Sequence, residues 1–405
     1  MTEIVLGIVV FTGLMMALTF IVLGARSVLM PRGLARITVN GERVLDADLG
    51  EKLLGALEQG GVHLPTSCGG AGTCGLCRVT VTGAGDVSPI VRATLSEADI
   101  ANGVRLACQE VVRGDLAIAV AEDMLGAQTW SCTVRRTQSV APLIKEIVLA
   151  LPEGQARSFR AGSYVQVTAP PFTLPFTGIA VDPAHEGAWT RLGLRKLVAR
   201  SKAPVARAYS VANHPGETEA LLLNIRLAPP PVSKPVAPPG MVSSWLFGLK
   251  VGDVVTASGP FGDFFVMDTD REIVLIGGGV GMAPLRAHVF DQLEYRKTSR
   301  RISFWYGARS RIDLYYTDDM ERLAREHANF SWHVALSDPA PGDAWDGATG
   351  FIHDLVYREH LKTHRDPAAC EYYLCGPPLM IEAVRALLDK LGVPRENVRY
   401  DDFGG

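Results

Sequence analysis

Four cysteines constrain this chain more than any other feature. Three lie in one loop as Cys68-x5-Cys74-x2-Cys77, and Cys108 follows further on. A [2Fe–2S] cluster needs four thiolates around two irons, and three can come from a single loop that folds over it. Such a loop must bend tightly and aim backbone N–H groups at the sulfides. Gly69, Gly70, Gly72 and Gly75 permit those backbone angles. Zinc or plain structural thiols are the alternatives. Zinc usually takes paired CxxC knuckles or histidines, and neither is present. Plant-type clusters have four residues between the first two cysteines, whereas this loop has five. The spacing predicts cluster ligation by Cys68, Cys74, Cys77 and Cys108.

The chain has 405 residues, enough for about three domains at roughly 150 residues each. Its seven cysteines are odd in number and unevenly placed, unlike a secreted disulfide scaffold. A net charge of −3 argues against nucleic acid as a partner.

From Ile4 to Leu23 the chain carries no charge. Twenty residues at a rise of about 1.5 Å make about 30 Å, the thickness of a hydrocarbon core. A cleavable signal peptide would have basic residues before a shorter apolar core. Here Glu3 precedes the run, and Arg26, Arg32 and Arg36 follow it. The pattern predicts one transmembrane helix over 4–24, with the remaining domains on the cytoplasmic side of the membrane.

Three modules follow. Residues 34–126 read as a β-grasp ferredoxin-type domain. A hairpin turns at Asn40-Gly41, a helix covers Lys52 to Gln59, and strands run from Arg78 and from Leu116 to Val120. Residues 129–269 read as an antiparallel β-barrel, with strands over Ser131–Arg135, Glu146–Leu151, Tyr164–Val167 and Leu221–Leu227. Residues 270–405 read as a doubly wound α/β domain: strand, glycine turn and helix from Arg271, then strands at Arg301–Tyr306, Phe330–Leu336 and Glu371–Cys375.

In the second module, Arg207-Ala208-Tyr209-Ser210 ends a segment before a strand. It offers a cation, an aromatic ring and a hydroxyl, the groups a bound flavin needs. Asn224-Ile225-Arg226 follows on a strand. Gly240 to Ser244 opens a helix, where N-terminal amides hold phosphate. In the third, Gly277 to Pro284 follows the strand IVLI, and its glycines allow close approach of backbone to a pyrophosphate. Cys375-Gly376-Pro377-Pro378 ends the last core strand, at the carboxyl edge where α/β ligands bind.

With CGGAGTCGLC, RLACQ, RAYSVAN, LNIR, PPGMVSSW, GPFG, IGGGVGMAP, WYGARS, GFIH, YYLCGPP and a terminal DDFGG, the chain resembles the F subunits of bacterial Na+-translocating NADH:quinone oxidoreductases over its full length. The resemblance implies a multidomain α+β and α/β protein holding a [2Fe–2S] cluster and FAD, with NADH as substrate. Hydride would pass from NADH to FAD, then single electrons through the cluster to other membrane subunits and finally quinone, coupled to Na+ export. It implies that Arg207, Tyr209 and Ser210 contact FAD, with Arg226, Ser243 and Ser244 on its diphosphate. Gly278, Gly279, Gly281 and Met282 would line the NADH diphosphate site. Cys375 would approach the nicotinamide, and Phe403 would cover the flavin ring until NADH displaces it. Ser210, Cys375 and Phe403 are thus the expected catalytic residues. Reductases that feed oxygenases or other acceptor proteins share the three modules and form the alternative. A third reading is a non-catalytic tethered ferredoxin, against which the intact nucleotide motifs count.

Other features read as ordinary structure. Cys132 and Cys370 fit no motif and are expected to be buried free thiols. The nine histidines are scattered, and none is read as one of a metal pair. Trp189 to Arg200 is basic and partly amphipathic, either a solvated face or a docking segment. Arg309 and Arg311 follow the strand where a 2′-phosphate of NADPH would lie, which leaves the choice between NADH and NADPH open.

Overall fold

The computed structural model describes Gly7 and residues 11–21, 33–66, 68, 70–83, 85–120, 127–231 and 233–402. Residues 11–21 are helical. Eleven residues rise about 16 Å, half a hydrocarbon core. Among the described residues no helix is long and apolar enough to cross a membrane. The span expected over 4–24 is therefore not shown: of its residues only Gly7 and 11–21 are described, and the others lie outside the described ones. The chain divides into two compact units, 1–125 and 126–405.

In the first unit, Asn40 and Gly41 take positive φ of 50° and 75°. They turn β1 (Leu34–Val39) into β2 (Arg43–Asp48), as an Asn-Gly hairpin requires. β3 (Arg78–Thr82), β4 (Val104–Leu106) and β5 (Leu116–Ala119) complete a sheet of order β2-β1-β5-β3-β4. Only the β1–β5 pair is parallel. Helix α1 (Leu53–Gln59) lays Leu53, Leu54, Ala56 and Leu57 on a core with Ile37, Val79, Leu106 and Ile118.

The second unit begins with β6 (Gln128–Ala141), β7 (Ile144–Ala150) and β8 (Tyr164–Ala169). The pair β9 (Phe172–Pro175) and β10 (Val198–Ser201) forms a side hairpin. β11 (Val205–Ser210), β12 (Ala220–Arg226) and β13 (Val254–Phe261) complete an antiparallel sheet ordered β11-β8-β13-β6-β7-β12. It curls until its edges touch at a bridge between Val211 and Leu223. Arg207 to Ser210 is thus itself strand, where the sequence had suggested a segment before one.

Residues 189–200 are not a merely solvated face. Helix α2 (Pro183–Arg191) drives Trp189 into the core against Phe176 and Phe247, and its indole N–H donates to Pro142 O at 2.7 Å. Leu194 is buried too. Arg195 is occupied by Glu186 and by the carbonyls of Phe176 and Ile179. Helix α3 (Met241–Gly248) adds Val242, Leu246 and Phe247 to the same core.

The last sheet is parallel throughout. β14 (Ile273–Gly278), β15 (Ile302–Ala308), β16 (Phe330–Leu336), β17 (Ala348–Thr349), β18 (Glu371–Gly376) and β19 (Val398–Asp402) lie in the order β17-β16-β15-β14-β18-β19. Neighbouring residues on a strand enter opposite cores. Leu275, Phe304 and Tyr373 pack under α4 (Met282–Phe290) and α5 (Thr317–Glu326). Ile276, Trp305, Tyr372 and Leu374 pack under α6 (Ile352–Val356) and α7 (Pro378–Lys390). A sheet covered on both faces needs such unbroken apolar runs, which is why IVLI and YYLC do not alternate.

Candidate functional site

Strand register explains how distant cysteines meet. Arg78 pairs with Leu106 across β3 and β4, so Cys77, just before one strand, lies beside Cys108, just after the other. The two thiols share a hydrogen bond. From the loop, the Cys74 thiol donates to Cys68 Sγ at 3.4 Å. All four cysteines are free, with Cys77 and Cys108 buried. Burial opposes ionisation of Cys68, but hydrogen bonds from Cys74, Thr73 and Gly72 outweigh it and hold the thiol at about 6. Cys108 falls to about 7, chiefly through its bond from Cys77 against the cost of burial, with Gln109 assisting. Cys77, the donor of that bond and itself buried, is pushed up.

Backbone angle favours glycine at both Gly70 and Gly72, and at Gly72 space does too. Gly70 and Gly72 have φ of +87° and +83°, and a Cβ on Gly72 would lie 2.8 Å from Ile90. Gln109 Nε2 ties Gly70 O at 2.9 Å and reaches Cys108 Sγ at 3.6 Å. A soft four-thiol donor set inside a glycine cradle fits an iron–sulfur cluster.

On the curled sheet, β11 carries Arg207, Tyr209 and Ser210 and meets β12 at Val211–Leu223. The antiparallel sense of that bridge runs Arg207 and Arg226 toward the same end. Ala228, two residues beyond Arg226, accepts from Gly240 N at 2.8 Å and donates to Ser243 Oγ at 3.4 Å. The first turn of α3 therefore sits at that end, and Gly240 provides no side-chain cap. Ser243 and Ser244 turn their hydroxyls onto Gly240 O, at 3.2 and 2.6 Å. The Ser244 amide is also taken, donating to Gly240 O at 3.0 Å, so the groups left for an anion are the earlier amides of the turn and the two arginines, a set that fits a diphosphate. Tyr209 packs partly buried on the core. Ser210 Oγ donates to Asp401 Oδ2 at 3.1 Å, so β19 reaches β11. Phe403, two positions further, lies outside the described residues.

At the carboxyl end of β14 the glycines serve two purposes. A Cβ on Gly281 would stand 1.9 Å from Cys375 O, and one on Gly278 2.9 Å from the Met380 sulfur. Gly281 thus allows the start of α4 to press against β18, and Gly278 leaves room for Met380 of α7. Gly279 differs: its φ is +54° and nothing stands within 4 Å of its Cβ direction. That open face suits a nucleotide diphosphate. Tyr306 and Tyr315 hydroxyls fix the turn by donating to Gly279 O at 2.8 and 3.1 Å. Met282 is fully buried, so only its backbone can meet a ligand. Cys375 is buried too, in one core with Tyr306 and Tyr315.

The motifs RLACQ and DDFGG contained Gln109 and Asp401 without revealing their roles. Nothing in the sequence signalled Tyr316, whose hydroxyl bonds Glu146 and receives Asn224 Nδ2 at 2.9 Å, tying the segment before α5 to the curled sheet.

Family models match in three places: a 2Fe-2S iron-sulfur cluster binding domain at residues 37–113, an oxidoreductase FAD-binding domain at 194–266 and an oxidoreductase NAD-binding domain at 275–386. The F subunit of the Na(+)-translocating NADH-quinone reductase of Neisseria meningitidis is 48% identical over 404 residues, covering 100% of both chains. Its counterpart in Methylococcus capsulatus is 47% identical over 407 residues, again covering 100% of both. Among solved structures, the Amycolatopsis cytochrome P450 reductase GcoB covers 91% of this chain and 98% of its own, at 28% identity and a TM-score of 0.65.

Proposed function

The chain belongs to the family of Na(+)-translocating NADH-quinone reductase F subunits, and on that premise we propose that it is the electron-input subunit of such a complex. It takes hydride from NADH onto FAD and passes single electrons through a [2Fe–2S] cluster to other membrane subunits. Quinone is the final acceptor, and the complex couples the transfer to Na+ export. One observation carries the reading: four free thiols converge in a glycine nest on a chain that also carries FAD- and NAD-binding domains.

NADH releases two electrons together and a [2Fe–2S] cluster accepts one; FAD, when bound, exchanges both ways. The residues divide that work. Cys68, Cys74, Cys77 and Cys108 hold the cluster. Arg207 and Arg226, with the Ser243 amide in the first turn of α3, hold the flavin diphosphate; Ser244 shapes that turn through its bonds to Gly240 O, and Tyr209 and Ser210 face the flavin ring. Ser210 Oγ releases Asp401 to do so. Gly278, Gly279, Gly281 and the backbone of Met282 receive the NADH diphosphate. Cys375 supports the nicotinamide from the end of β18, and Phe403 covers the ring in its absence.

NADH rather than NADPH is favoured because the arginines after β15 are already engaged. Arg309 holds Asp338 Oδ2 at 3.0 and 3.1 Å, and Arg311 Nη1 donates to Asp343 O at 3.0 Å. A 2′-phosphate would meet the Asp338 carboxylate there. Anchoring by one N-terminal helix is supported by the uncharged run from Ile4 to Leu23 and by exposed Phe11, Leu14 and Phe20 on its helical part.

The test is Cys74→Ala in the FAD-loaded chain. Single-turnover reduction of flavin by NADH should persist while electron delivery to the partner subunits stops. Loss of flavin reduction as well, in a folded and FAD-loaded variant, sinks the sequential scheme.

A further inference from the structure

At the amino ends of β14 and β18, opposite the nucleotide edge, a second cluster of ligating side chains gathers. Glu272 immediately precedes β14, and its carbonyl accepts from Glu371 N, at the start of β18, at 2.8 Å. His360 lies in a π-turn, Tyr357–Leu361, that continues α6, and His364 follows in the next loop. Both imidazoles close on the same carboxylate, Glu272, and π-turns often mark functional positions. His360 Nε2 is 3.0 Å from Glu272 Oε1, and His364 Nε2 is 3.4 Å from Glu272 Oε2. The ligating atoms of all three residues lie within 4.8 Å of one another. Their side chains are only 13–19% exposed. His360 Nε2 is buried without a hydrogen bond of good geometry.

We infer that Glu272, His360 and His364 form a binding site for a divalent transition metal of the zinc type. Zinc holds nitrogen and oxygen ligands at about 2.0–2.2 Å, so the edges of its tetrahedron measure about 3.3–3.5 Å. The His364–Oε2 separation matches such an edge and the His360–Oε1 separation is a little shorter, each histidine facing its own carboxylate oxygen. Two imidazoles with one carboxylate are a borderline-soft set, suited to zinc rather than to calcium or magnesium. Water completes the sphere. Cys370, with Sγ 3.7 Å from His364 Nε2, flanks the site.

One contact must change when the metal enters. Asp366 N donates to His364 Nδ1 at 3.2 Å, whereas an imidazole bound through Nε2 keeps its proton on Nδ1. The Asp366 amide therefore moves off the ring. A second carboxylate–histidine group, Glu294, Glu326 and His327, lacks the same promise, because Arg322 already bridges its two carboxylates at 3.0 and 2.6 Å.

The metal would staple the connection from α6 to β18 onto the start of β14, away from the electron path. Its test does not depend on turnover. Full-length chain with its iron retained is freed of adventitious metal by a mild chelator, then titrated with Zn2+ and with Co2+. We expect about one zinc per chain, visible d–d bands of four-coordinate cobalt, and a raised melting temperature with zinc. In the His360→Ala/His364→Ala double variant all three should vanish while iron content stays. The wild-type titration stands even if the variant folds poorly. Absence of zinc binding and cobalt bands in the wild type overturns the site. So does zinc that the folded double variant retains, which would place the metal elsewhere.

Discussion

His288 shows how much one buried side chain decides. It sits on α4 between the rings of Phe264 and Tyr373 and is 1% exposed. Burial, with a smaller push from Arg160, lowers its imidazole to about 3. The unfolded chain takes that proton near 6.5, so between those values the unfolded state binds more protons and acid favours unfolding. The stability is whole above about pH 6.5 and declines as pH falls, by about 2 kcal/mol at pH 5. His288→Leu should flatten the dependence of the urea midpoint between pH 7 and 5 relative to wild type. Parallel curves for the two proteins would show that the histidine is not the source. At the same scale, the cluster cysteines were legible because thiol spacing is a chemical requirement. Cys375 was legible by place alone, at a strand end beside Gly376, and its complete burial was not. His360 and His364 were passed over because a pair four apart gains meaning only when Glu272, far back in the chain, faces it.

Among elements, the turn from β14 into α4 separates two uses of glycine. Gly281→Ala forces a Cβ to 1.9 Å from Cys375 O and must part α4 from β18; overpacking of that kind costs about 1–3 kcal/mol or more. Gly279→Ala meets open space and bears only the strain of φ +54°, about 1–2 kcal/mol. Thermal melts should fall further for Gly281→Ala. NADH KM should rise for Gly279→Ala, since its methyl group points to the proposed diphosphate site. An unchanged KM with Gly279→Ala would move that site off the turn. The Asn40-Gly41 hairpin and the strands expected around 131, 146, 164, 221, 301, 330 and 371 match the structure, whereas β4, β9, β10, β13, β17 and β19 carried no expectation. β11 was harder to place, since Val205 to Ser210 is half-buried along most of its length and shows no clean alternation.

At the scale of the whole molecule the chain resolves into two compact units, 1–125 and 126–405. Within the second, buried contacts unite the curled sheet with the parallel sheet and its flanking segments: Tyr316 with Asn224 and Glu146, Arg286 Nη1 with Ala212 O at 2.8 Å, and Ser210 with Asp401. A chain of residues 127–405 should therefore fold alone, bind FAD and reduce ferricyanide with NADH, while lacking the visible absorption of the cluster. Failure to bind FAD would mean that the second unit depends on the first.

The sequence by itself determined the cofactor chemistry, the three modules and their order, because ligand spacing, glycine turns and apolar periodicity are local properties. It also set the thiol nest apart from every other cysteine. Tertiary structure decided which partners those groups meet. The β3–β4 register sets Cys77 beside Cys108, β19 brings Asp401 to Ser210, and two parallel strands starting side by side place Glu272 within reach of both histidines. These contacts join residues far apart in the chain, and no local pattern encodes where a strand will find its neighbour.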